Sequence, residues 1–164
     1  MKFSAIEKRD LLLAGLLISL AFAILLSGGF NAFFSPSISF LFIFIIAFLT
    51  AGLAFLLHEL MHKFVAQRYG LFAEFKAFYN MLFLALGMSL FGFILAAPGA
   101  VFIKGRNITR ERNGKISLAG PLTNIILAVL FLILSLIVQE GFLGSLFGYG
   151  LTINSLLAAF NMIT

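Results

Sequence analysis

The 164-residue chain is 62% hydrophobic and only 10% charged, with a mean hydropathy of +1.15 and a formal net charge of +5. A soluble domain carries roughly 25% charged residues, so this composition excludes one; with about 20 residues needed per crossing, it leaves a single integral membrane domain over residues 1–164. Lysine and arginine fall in short stretches between apolar runs, which fits loops facing the cytoplasm and an anionic lipid bilayer and argues against nucleic acid as a partner, and the lack of cysteine excludes disulfides and thiolate metal sites.

The first predicted element follows a basic start, Lys2, Lys8 and Arg9, and runs apolar from Leu11 to Leu26. Ala21-Phe22-Ala23 offers small residues at signal-peptidase spacing, but an uncleaved first span delivers the next helix in the opposite direction and is the expected state. Asp10, the only aspartate, is expected at the membrane surface. The uncharged stretch from Phe30 to Ser37 reads as a short turn on the non-cytoplasmic side.

A second helix is predicted from Ile38 to Arg68, and the basic residues Lys63, Arg68 and Lys76 around and beyond its end place that end in the cytoplasm. Alternation over Leu71 to Phe78 permits a short strand. Met81 to Ala97 is apolar but interrupted by Gly87 and Gly92, with Pro98-Gly99 after it. A second basic loop, Lys104 to Lys115, follows. Positive charge on both sides implies a re-entrant segment or hairpin returning to the same face, buried in protein or lining a wet cavity. A third span covers Ile116 to Val138, opening with Ala119-Gly120-Pro121-Leu122-Thr123-Asn124. Gly120 and Pro121 are expected to serve helix packing there, and Asn124 must find a partner in the bilayer. Glu140, Gly141 and Gly144 mark a far-side loop, and a last span begins near Leu151. The fold expected is an all-α polytopic membrane protein with four transmembrane helices, a re-entrant or hairpin segment and a possible short β element after helix two.

Chemistry concentrates in His58-Glu59-Leu60-Met61-His62, which holds both histidines of the chain. At four-residue spacing the two imidazoles share one helix face and can bind a single Zn²⁺, with Glu59 placed to act as general base. The plainer alternative is that Glu59 pairs with Lys63 four residues on, in the favourable helical order. Ionisable groups at membrane depth cost about 2.5 to 3.5 kcal/mol on insertion scales, so they require a partner or a purpose. The phenylalanine-rich run through Phe40, Phe42 and Phe44 reads as lipid-facing or packing, and no row of intramembrane charges suggests a transporter path.

HExxH inside a membrane helix, Ala-Gly-Pro-Leu-Thr-Asn opening another, and Phe160-Asn161 on a third resemble the site-2 protease family of intramembrane zinc metalloproteases. The resemblance implies zinc held by His58 and His62, Glu59 as general base, and Asn161 as a substrate contact. It further implies cleavage of a peptide bond in or near a transmembrane helix of a membrane-protein substrate, in a prokaryotic cell membrane, with the N-terminus cytoplasmic and the site near the cytoplasmic face. The family's third ligand is an aspartate in an Asn-x-x-Pro...Asp-Gly pattern; here Thr164 stands at the proline position. The expectation is therefore a C-terminally incomplete form of a longer protease, with proteolysis by these 164 residues impaired. The rival reading, from another class, is a non-catalytic membrane scaffold that has kept the fold.

Overall fold

The computed structural model describes residues 1–31, 38–94, 98–106 and 108–163. Most of the turn expected before helix two, the end of the apolar run at Ala97, and Thr164 lie outside the described residues. Helix α1, Ala5–Leu26, starts six residues before the apolar run because Ser4 caps it, its side-chain oxygen accepting from the Glu7 N–H. Helix α2, Ile38–Ala47, passes through a π-helical turn, Phe48–Gly52, into α3, Leu53–Arg68, and together they make one long rod that carries HELMH. The π-turn lies one turn before the motif, the sort of position where such bulges recur in functional helices. At its end Gly52 lies so close to α1 that a methyl group there would fall 2.2 Å from the Ser19 hydroxyl.

The expected strand element forms as β1, Phe72–Ala77. It pairs antiparallel with β2, Gly99–Lys104, in the register Phe75↔Val101 and Ala77↔Gly99. Between them lies α4, Tyr79–Leu90, shorter than the sequence suggested because the chain turns at Gly92, where φ is +87°. The chain leaves β1 and returns to β2 beside it, as a hairpin does. Helix α5, Arg110–Ile137, is capped by Thr109 and continues through Pro121. Helix α6, Gly141–Ile163, begins ten residues earlier than expected.

Among the described residues four helical stretches are long and apolar enough to cross a membrane: Ala5–Leu26, Ser39–Arg68, Arg110–Ile137 and Gly141–Ile163. The protein is an all-α polytopic membrane protein carrying a small two-stranded sheet. Large apolar side chains such as Phe83, Ile126 and Leu136 point outward, as lipid-facing positions should. The buried core joins Ala14 and Ile18 of α1, Phe55 of α3, Phe75 of β1, Leu82 of α4 and Ile153 of α6. A second cluster, Ala66, Leu71, Ala73 and Ile116, fastens the end of α3 to the hairpin and to α5. Both clusters flank the motif, so HELMH sits where α3 is gripped by α5 on one side and by the sheet on the other.

Candidate metal centre

Because α3 is regular through the motif, His58 and His62 project from one face with their rings 4.7 Å apart and steeply inclined. That face packs on the start of α5. His58 and Glu59 are buried, and His62 is half-buried. The close approach requires a glycine: a methyl group at Gly120 would fall 2.3 Å from His62 Nε2 and 2.5 Å from His58 Nε2. Gly120 was expected to serve helix packing, and the helix it admits is the one bearing the two imidazoles. Pro121 beside it cannot donate to the Ser117 carbonyl, yet the helix continues.

Each imidazole is oriented through its Nδ1. His62 Nδ1 lies 2.7 Å from the Ile116 carbonyl oxygen, which can only accept, so that nitrogen carries the proton. His58 Nδ1 lies 2.5 Å from Asn124 Oδ1, and a second asparagine fixes which way Asn124 faces. Asn154 Nδ2 donates to the Gly150 carbonyl at 2.8 Å, which leaves its Oδ1 to accept from Asn124 Nδ2 at 3.2 Å. Asn124 must then turn its own oxygen to His58, and His58 Nδ1 must donate. Both asparagines are fully buried. The chain of donors runs from α5 and α6 into the motif and sets both rings in the Nδ1–H form.

The consequence appears at the other nitrogens. His58 Nε2 and His62 Nε2 lie 3.0 Å apart, and with both protons on Nδ1 each directs a lone pair into the same space. No proton is left to make a hydrogen bond between them. Two nitrogens each about 2.0 to 2.1 Å from one zinc ion can be separated by up to about 4 Å, so the pair fits a shared ion. Oriented imidazoles with their far nitrogens hydrogen-bonded to carbonyl or amide oxygens are the usual preparation of a metal-binding histidine. Among the described residues no third histidine, cysteine, aspartate or glutamate joins them in a cluster.

Glu59 is buried beside the Val101 backbone of β2. It does not pair with Lys63. That lysine, 1% exposed, instead reaches Glu7 of α1, contacting both carboxylate oxygens at 2.6 Å. The helical spacing rule gave the wrong partner because α1 brings a carboxylate from 56 positions away. Asp10, expected at the surface, is 5% exposed and accepts from the Ala77 N–H and the Tyr79 hydroxyl. The early start of α1 carries it under the hairpin.

The structure thus brings together His58, His62, Gly120 and Asn124, with Glu59 and Pro121 adjoining. Asn161 is not among them: it is exposed on α6, and its amide donates to Leu157 of its own helix. Asn154, which fixes Asn124 and through it His58, is a residue that the reading of the sequence did not single out. The signal was a second buried amide in an apolar helix, which must be paired.

The fold is that of a polytopic membrane protein, and its HExxH motif brings two imidazoles together that could hold one cation. Over 130 residues, 78% of this chain and 68% of the relative, the sequence is 48% identical to a Methanocaldococcus jannaschii protein named "Putative zinc metalloprotease". The chain belongs to the family of that zinc metalloprotease. No protein-family profile matches it, and no solved structure gives a significant match.

Proposed function

We propose that this protein is an intramembrane zinc metalloprotease of the site-2 protease type, hydrolysing a peptide bond in or near a transmembrane helix of a membrane-protein substrate. One observation carries the reading: two imidazoles held as Nδ1–H forms direct their Nε2 lone pairs at each other across 3.0 Å, within a helix of membrane-spanning length. Facing lone pairs repel, and a shared cation turns that repulsion into ligation. His58 and His62 would hold the zinc, two of the three protein ligands a catalytic zinc ordinarily takes. A zinc ion there would supply Lewis acidity, polarising a scissile carbonyl and acidifying water.

Glu59 takes the proton from the attacking water and returns it to the leaving amine nitrogen. The Val101 backbone of β2 lies beside that carboxylate. A peptide bond within a helix is shielded by its own hydrogen bonds, so a substrate must unwind, and in the membrane its freed backbone groups need replacements. The outer edge of β2, beside Glu59, offers them to an extended segment. Asn161 is proposed as a further substrate contact, its side-chain oxygen being left to accept while its amide donates to Leu157. The N-terminal segment meets the end of α3, with the Lys2 N–H donating to Gln67. This supports a cytoplasmic N-terminus and a site near the cytoplasmic face of a prokaryotic cell membrane, since both basic ends then lie on one side.

Cleavage of single-span reporter proteins in liposomes tests the reading. Glu59→Gln is expected to lower turnover by at least about 10²-fold, the lower range for a lost general base, with zinc content unchanged, whereas His58→Ala loses both. A Glu59→Gln protein that cleaves at the wild-type rate contradicts the base assignment. Zinc binding with no cleavage by the wild type favours the scaffold reading.

A further inference from the structure

We propose that Glu7 and Asp10 are positioning residues: they close the outer edge of β1, so that the hairpin offers an extended peptide only the edge of β2 that lies beside Glu59. That the peptide is a protease substrate rests on the function proposed above; the closing of the edge does not.

The register places Ala73, Phe75 and Ala77 opposite Ile103, Val101 and Gly99. Phe78 N–H bonds across the hairpin to Pro98, so by the alternation of an antiparallel pair residues 73, 75 and 77 turn their backbone groups away from β2. Side chains of α1 and α3 occupy them. Glu7 accepts from the Phe75 N–H at 2.8 Å, and Asp10 accepts from the Ala77 N–H at 3.2 Å. The Ala73 carbonyl accepts from Lys63 at 2.9 Å and from Gln67 at 3.3 Å. Residues three apart on a helix lie about 5 to 6 Å from one another, and alternate residues on a strand about 6.5 to 7 Å. The two carboxylates therefore match two successive outward amides.

An unpaired edge is a template for any extended chain. On β1 that template is filled by anionic acceptors, which make the stronger kind of hydrogen bond. Lys63, one residue past His62, joins Glu7 to the strand and to the motif helix at once. On β2 the outward Val101 backbone lies beside Glu59, and among the described residues no strand covers that edge. The first helix thus sets which edge is available and holds its register against the motif.

The test uses the full chain in liposomes, with amide hydrogen exchange, zinc content, and KM and kcat for a single-span reporter. In the double variant Glu7→Leu/Lys63→Met, which removes the pair without leaving a lone buried charge, Phe75 N–H should exchange about tenfold faster. KM should rise about tenfold, with kcat changing less and zinc content unchanged. Asp10→Ala should do the same at Ala77, and Asp10→Asn, which keeps an acceptor oxygen, should restore both exchange and KM. Asp10→Ala carries the test if the double variant does not fold. Wild-type exchange at the freed amides overturns the proposal, as does faster exchange with an unchanged KM. If the wild type cleaves no reporter, the proteolytic reading fails by itself; faster exchange then sustains the edge closure and unchanged exchange overturns it.

Discussion

Two polar clusters sit side by side on α3 and differ in whether their bonding closes. Around Lys63 every charge has its partner: the ammonium meets both Glu7 oxygens and the Ala73 carbonyl, and Glu7 also accepts from Phe75. Around His58 and His62 the outer nitrogens are satisfied by Asn124 and Ile116, while the inner ones face each other with lone pairs alone. Burying polar groups is costly in either case. The first cluster offsets that cost within the protein and fastens three elements together. On the proposed reading, the second would offset it by taking up a cation. A closed network reads as architecture and an open one as a binding site.

The largest effect is expected at the closed cluster. Lys63→Ala leaves the Glu7 carboxylate buried and unpaired, and should destabilise the protein by about 3 to 5 kcal/mol, read as loss of folded protein on heating in detergent. The paired replacement Glu7→Leu/Lys63→Met should recover most of that loss. Equal melting of Lys63→Ala and wild type would show that the cluster is not closed as described. The open half should respond in zinc binding before it responds in folding. Gly120→Ala puts a methyl group against both Nε2 atoms. Overpacking of this kind costs about 1 to 3 kcal/mol, and zinc affinity should fall correspondingly, measured by competition with a chelator. Asn154→Ala touches neither imidazole; it frees Asn124 to rotate, and loss of such outlying support typically weakens metal binding by about 10 to 100-fold. Acting through one intermediary, it should lie near the lower figure. An unchanged zinc affinity in Asn154→Ala would mean that Asn124 needs no second asparagine to hold His58.

The motif was legible in the sequence because its geometry is local: four residues of helix put both histidines on one face whatever else the chain does. The strand at Phe72–Ala77 showed through its alternation. What the sequence hid was long-range. Asn124 could be seen to need a partner, but His58 and Asn154 lie 66 and 30 positions away. Helical spacing offered Glu59 as an alternative partner for Lys63, and a carboxylate from α1 reaches that lysine instead. Glu140, Gly141 and Gly144 made the start of α6 read as loop, since glycine weakens a helix by about 1 kcal/mol each. Gly150 is there so that α6 can approach Phe131, whose ring a methyl group would meet at 2.5 Å.

The convergence of two bare Nε2 atoms can be observed directly, because the chain has only two histidines and their ring nitrogens can be resolved by nitrogen-15 NMR. In metal-free protein both Nδ1 atoms should carry the proton, and one equivalent of zinc should shift both Nε2 resonances together. A protonated Nε2 in either ring of the metal-free protein, or a zinc shift confined to one ring, would contradict the account.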